Sequence, residues 1–289
     1  MRIFNFLENI FFAFLHKFYV KKFNFLYLDN SKRINLINKI FNQEIDGVII
    51  KQFLSNEELN IFSNNLVKYK NNLTQEREIE WGHTIGEVLY VSSIDTNKYF
   101  ENAKILKKEL IQLFGFDIID RLKNAISDLN NNITVEIAKS SNGVEYVANT
   151  IRFMEPGLGG AIEHVHLANL HGEIPNMATF SHLYDLSGQV SFFIQLQKPE
   201  KGGELKLFDL RYSDMPKKFE NNLYSDLKVL RYIRSRRTQT VKIDSGDLVL
   251  FDGGNIWHSV TPVLGKITRI TIGGFANYSK NKEKIIIWS

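Results

Sequence analysis

Gly246–Phe275 reads GDLVLFDGGNIWHSVTPVLGKITRITIGGF and sets a histidine and an arginine on two neighbouring strands. Asp247–Asp252 is a short apolar run rich in β-formers. Gly253 and Gly254 interrupt it, and Ile256–Val260 resumes the pattern before a turn over Pro262–Gly265. Thr268–Ile272 then alternates. Residues two apart in a strand share a face, so Arg269 and Thr271 point one way while Ile270 and Ile272 point into the other layer. A guanidinium beside a hydroxyl makes a clamp for a carboxylate. His258 precedes Arg269 by eleven residues.

The second informative stretch is Ala161–Leu170, AIEHVHLANL, after the loop PGLGG at Pro156–Gly160. Alternation places His164, His166 and Ala168 on one face, with Val165 and Leu167 on the other. The chain has no cysteine, so a metal would have to rest on His, Asp or Glu.

The GD-apolar strand, histidine, turn and R-x-T of the first stretch resemble the C-terminal metal-and-cosubstrate segment of the 2-oxoglutarate/Fe(II)-dependent oxygenases. The order of an apolar strand at Leu186–Gln197, a GGEL strand at Gly202–Asp209, a basic insertion and the GD strand is similar too. So, more weakly, is the opening DGVIIKQFLSNEE at Asp46–Glu58. The resemblance implies an α+β fold with a double-stranded β-helix (jelly-roll, cupin-like) core and N-terminal helical support. It implies Fe(II), 2-oxoglutarate and O2, with His258 as the distal metal ligand and Arg269 and Thr271 on the far carboxylate of 2-oxoglutarate. Asn149 and Arg152 become candidate contacts to cosubstrate or substrate, on the condition that their arm lines the pocket.

The chain departs from the family at the first ligand pair, written H-x-D/E, because no acid stands two places after either histidine. With His164 as first ligand, His166 takes the carboxylate position and the site holds three histidines. With His166 as first ligand, Ala168 takes it. That second register resembles the iron halogenases, where chloride enters the vacated position, and losing a carboxylate lowers the negative charge around the metal accordingly. Asn169 after the H-x-A trio favours the second register and leaves His164 as a nearby pocket group. Glu163 falls on the opposite face. The loop from His171 to Tyr184, with Glu173 and His182, reads as a lid.

The remainder supplies scaffold. With 289 residues and 44% apolar content, the chain divides into an N-terminal buttressing region, 1–132, and a barrel core, 133–289, with an insertion at about 210–240. Phe4, Leu7, Phe11, Phe14 and Phe18 recur at helical spacing, predicting an amphipathic helix within Met1–Leu28. The longest apolar run there, Ile10–Leu15, is six residues, against about 20 for a membrane span. Ser55 and Glu58 form a capping-box signature, Asn97–Phe114 and Asp117–Asn130 read as helices parted by Gly115, and Thr134–Ala138 with Val144–Met154 reads as a hairpin.

Net charge is +4, which does not indicate nucleic-acid binding. Lys228, Arg231, Arg234, Arg236, Arg237 and Lys242 concentrate in the insertion and read as a solvated face. The expectation is a cytoplasmic oxidoreductase that couples 2-oxoglutarate decarboxylation to hydroxylation or halogenation of an unactivated C–H bond in a small-molecule substrate. The alternatives are a three-histidine cupin dioxygenase without 2-oxoglutarate and a non-catalytic binding barrel. Oligomeric state leaves no mark on the sequence.

Overall fold

The computed structural model describes residues 23–28, 35–69, 73, 76–89, 96–166, 180, 182, 184–217, 219 and 227–289. In chain order the strands are β1 (Phe25–Leu28), β2 (Gly47–Ile50), β3 (Glu76–Ile79), β4 (Gly82–Ile85), β5 (Thr134–Ile137), β6 (Thr150–Met154), β7 (Val190–Gln197), β8 (Lys201–Gly202), β9 (Leu205–Arg211), β10 (Thr238–Val241), β11 (Leu248–Phe251), β12 (Ile256–Val260), β13 (Val263–Leu264), β14 (Arg269–Tyr278) and β15 (Lys284–Trp288). The helices are α1 (Leu36–Phe41), α2 (Asn56–Tyr69), α3 (Thr96–Phe114), α4 (Ile118–Asp128) and α5 (Leu227–Arg234).

A ten-stranded sheet runs β1-β2-β11-β7-β14-β6-β4-β3, with β15 joining β14 to β5. A smaller sheet runs β10-β9-β12. This is the two-layer jelly-roll arrangement of a mixed α+β protein. Side-chain alternation tells the layers apart. On β11, Leu248 and Leu250 join the large core shared with the helices, while Val249 and Phe251 join a cluster with Leu205 and Leu207 of β9. Ile270 and Ile272 of β14 likewise enter the helix-side core, whereas Arg269 and Thr271 face a cavity between the sheets. Trp257 of β12 packs outward with Val229 and Ile233 of α5. It is fully buried, which on its own stabilises the fold by roughly 2–3 kcal/mol.

Local signals place the helices. Ser55 Oγ accepts from the Glu58 N–H at 3.2 Å and Glu58 Oε2 accepts from the Ser55 N–H at 2.8 Å, the reciprocal cap that opens α2. Asp117 caps α4 by accepting from the Asp120 N–H. Gly115 ends α3 at φ 76°, a left-handed turn that only glycine adopts without strain. At Gly246, φ 90°, a Cβ would lie 2.3 Å from the Leu54 carbonyl oxygen, so glycine is required where β11 begins.

One expectation changes, and one falls on residues that are not described: the amphipathic helix expected from Phe4 to Phe18 lies within residues 1–22, outside the described residues, while Phe25–Leu28 is a strand pairing in parallel with β2. Four residues of alternating aromatic and aliphatic side chains satisfy either period, and the edge beside β2 decides it. The hairpin over 134–154 closes only at its tip, where the Tyr146 N–H donates to the Ala138 carbonyl. Beyond that, β5 turns away to pair in parallel with β15, while β6 inserts between β14 and β4. The sheet also draws β1–β4 from residues before 133. No helix among the described residues is long and apolar enough to cross a membrane.

Candidate metal and cosubstrate site

His258 sits in the middle of β12 and is 2% exposed. The segment carrying His164 lies against it: the His164 N–H donates to the His258 carbonyl at 2.9 Å and the His258 N–H donates back at 3.0 Å. The His166 N–H donates to the Gly253 carbonyl at 2.7 Å. Residues 164 and 166 face inward together, and Val165 between them packs outward with Trp257 and Phe208. Glu163 also points away, held by Arg234 of α5 through Nε at 2.8 Å and Nη2 at 3.0 Å. Burial pushes the Glu163 carboxyl upward, but Arg234 prevails and holds it below its ordinary range.

All three imidazoles converge. Their ring centroids are 4.3 to 4.6 Å apart, and one nitrogen from each lies within 4.8 Å of the others. The outer nitrogens are engaged: His164 Nδ1 with the Ile162 carbonyl at 2.6 Å, His258 Nδ1 with the Ile256 carbonyl at 2.8 Å, and His166 Nδ1 with Ser191 Oγ at 2.8 Å. A carbonyl can only accept, so His164 and His258 carry their proton on Nδ1 and present an Nε2 lone pair inward, the tautomer of a metal ligand. His258 Nε2 is buried without a hydrogen-bond partner. Burial depresses the basicity of His164 and, more strongly, of His258, which keeps them neutral.

These features fit a divalent transition metal. Ligands at right angles around an ion about 2.1 Å away stand about 3.0 Å apart, and His164 Nε2 is 2.9 Å from His166 Nε2. An all-imidazole set suits iron, zinc, copper or nickel and disfavours magnesium or calcium.

Arg269, at the start of β14, is 4% exposed. Nη1 meets Met154 Sδ at 3.4 Å, the guanidinium lies over the Phe193 ring at 5.4 Å, and Nε has no partner. Burial, reinforced by the charge of Arg152, lowers its pKa to about 9 against a smaller opposing pull from Glu204. A buried cation surrounded by thioether and aromatic carbon fits an incoming carboxylate. Thr271, 2% exposed, stands two residues on along the same face.

Arg269, Thr271, Arg152 and all three histidines line one cavity of about 260 Å3. Its other walls are mostly apolar, including Trp81, Met154, Phe193 and Phe251. Asn149 does not line it; this residue borders a separate cavity of about 40 Å3 under α3, with Oδ1 buried and unpartnered. Ala168, Asn169, His171 and Glu173 lie outside the described residues, and His182 is exposed. Trp81 and Ser191 also line the cavity, and no motif in the sequence marks either. A lone hydroxyl in the apolar run VSFFIQLQ was the available signal for Ser191.

The fold has solved counterparts. An N-substituted L-amino acid dioxygenase from Burkholderia ambifaria AMMD superposes with a TM-score of 0.57 at 15% identity, covering 86% of this chain and 89% of that chain. A structure of such a dioxygenase from the same organism in complex with alpha-KG gives 0.54 at 14% identity over the same shares. At this identity the likeness establishes the shared fold. No curated protein matches the chain in sequence. The model of the family described as carrier-protein-independent halogenase WelO5 matches residues 22–289. With that match spanning nearly the whole chain, the protein belongs to this halogenase family and is a 2-oxoglutarate-dependent non-haem iron enzyme.

Proposed function

We propose that the protein oxidises an unactivated C–H bond of a small molecule by hydroxylation, with His164, His166 and His258 together holding the ferrous ion. The observation that carries this reading is the third imidazole. His164, His166 and His258 would hold the ion through three protein ligands, leaving room for 2-oxoglutarate and oxygen but not for the halide that halogenation requires. When bound, iron and 2-oxoglutarate supply the oxidising power: R–H, O2 and 2-oxoglutarate become R–OH, succinate and CO2.

The chain's own residues bind, orient and exclude water. Backbone carbonyls of Ile162 and Ile256 fix two imidazoles in the ligating tautomer, and Ser191 steadies the third. Arg269 and Thr271 take the far carboxylate of the cosubstrate, in a pocket dry enough to magnify the attraction. Phe251 stands edge-on to the His258 ring at 5.0 Å and Phe275 to His166 at 4.9 Å, shielding the ligands from solvent.

One observation favours halogenation as the second reading: neutral imidazoles leave the ion's full charge uncompensated by the protein, which attracts chloride. Anaerobic Co(II)-loaded protein with 2-oxoglutarate, titrated with chloride, separates the two. The hydroxylase reading expects an unchanged visible spectrum in the native chain and a chloride-dependent change in His166→Gly. A chloride response in the native chain, or chlorinated product under turnover, overturns it.

A further inference from the structure

The three imidazoles are not carried alike. His258 belongs to β12, which pairs with β9 from Ile256 to Val260. His164 and His166 ride on Ala161–His166, a segment outside every named strand that meets β12 at the isolated bridge between His164 and His258. Further backbone bonds run from the Val260 N–H to the Ala161 carbonyl at 3.2 Å and from the His166 N–H to the Gly253 carbonyl at 2.7 Å. A segment with sparse backbone pairing opens locally at small cost. Two of the three ligands therefore depend on what their outward neighbours grip.

Those neighbours are Glu163 and Val165, and both dock on α5. Val165 packs with Val229, Ile233 and Trp257. Arg234, the last residue of α5, donates from Nε to Glu163 Oε1 at 2.8 Å and from Nη2 to Oε2 at 3.0 Å. This parallel two-bond pairing fixes orientation as well as distance. The Glu163 side chain is 11% exposed and that of Arg234 is 58% exposed, so the acid is the enclosed partner and Arg234 is what offsets the cost of enclosing it. Without Arg234, Glu163 would turn towards water and draw the adjoining His164 with it. Arg234 thus departs from the solvated face that its basic neighbours suggest.

We propose that Arg234 is a positioning residue: its grip on Glu163 holds His164 and His166 in ligating register before the metal arrives. The inference rests on the three histidines being the metal site. Its consequence is that α5, on the outer side of the small sheet, sets metal affinity through the fraction of molecules whose ligand segment is already closed.

The test uses the full chain with Arg234→Gln, Arg234→Lys, Glu163→Gln and the double variant Glu163→Gln/Arg234→Gln, each checked for folding by thermal melting. In the metal-free protein, amide exchange at His164 and His166 should rise about tenfold in Arg234→Gln, the scale of one lost charge-assisted hydrogen bond. Exchange at Ile194, inside β7, should not change. Co(II) affinity in a chelator competition should fall by the same factor, while the visible spectrum at saturating Co(II) matches the native one because the ligands are the same. Arg234→Lys should recover part of the affinity, and the loss in the double variant should fall short of the sum of the two single losses. Co(II) affinity in Arg234→Gln within about twofold of native, as for a surface ion pair that contributes nothing, overturns the proposal. So does faster exchange at Ile194 by the same factor as at the histidines, which would make the pair a general stabiliser, or a saturated spectrum unlike the native one, which would mean an altered ligand set. Failure of the native chain to bind Co(II) removes the metal-site reading together with this one, whereas native binding with unaltered variants removes this one alone.

Discussion

Replacing Arg269 with methionine should stabilise the ligand-free protein while abolishing cosubstrate binding. The guanidinium is fully enclosed and its pKa falls from its ordinary value to about 9. At 1.36 kcal/mol per tenfold change, that fall corresponds to about 5 kcal/mol of charge burial. The folded state releases this proton more readily than the unfolded one, so the penalty is full below about pH 9 and is relieved as pH climbs above it. At pH 7.5 it is fully expressed. Removing the charge also forfeits the contact with Phe193, about 1–2 kcal/mol, which leaves a net gain of about 3 kcal/mol. Urea unfolding of the metal-free full chain reads the gain directly. The companion measurement is the rise in Tm that 2-oxoglutarate produces with Co(II) bound, expected in the native protein and absent in the variant. A variant less stable than the native chain, or one that keeps the cosubstrate-dependent rise, refutes the reasoning.

Ser191→Ala removes the partner of His166 Nδ1 and should weaken Co(II) binding by about 10- to 100-fold in a chelator competition; unchanged affinity would exclude His166 from the ligand set. Arg211 bridges the carboxylates of Asp252 and Asp46 at 2.5 Å each. Burial outweighs Arg211 and raises Asp252 to about 7. The folded state therefore binds the extra proton, and this group's contribution to stability is lost as pH rises from about 4 through 7. Unfolding free energies across that window should fall in the native chain and flatten in Asp252→Asn. Ser55→Ala breaks the reciprocal cap of α2 and should cost about 1 kcal/mol in urea unfolding, with cosubstrate binding untouched.

What was legible in the sequence was local. Strands β11, β12 and β14 follow from β-formers, glycine breaks and alternation within thirty residues, and α2 to α4 from their caps. What was not legible depended on distant partners. β5 pairs with β15, 150 residues on (Thr134 with Lys284), and nothing within Thr134–Met154 distinguishes that parallel pairing from a hairpin. β1 is a strand because β2 offers an open edge, a fact external to its four residues.

The metal site shows the same limit at finer scale. A period of two places His164 and His166 on one face but cannot say which approaches His258, because both satisfy it equally. The structure brings both, because the backbone bridge sets His164 opposite His258 while the Gly253 carbonyl holds His166 one step further along. The preference for the register with Ala168 rested on Asn169 after the H-x-A trio, a residue that lies outside the described ones, and on no property of the strand. Once His166 stands in the inner ring with its Nε2 2.9 Å from that of His164, Ala168 is no longer needed to explain the missing acid. On the proposed ligand set an imidazole takes the place of the carboxylate, donating an electron pair as a carboxylate does but bringing no charge. The negative charge that such a site lacks must come from what it binds, and this makes the anions admitted to the cavity the determinant of its chemistry.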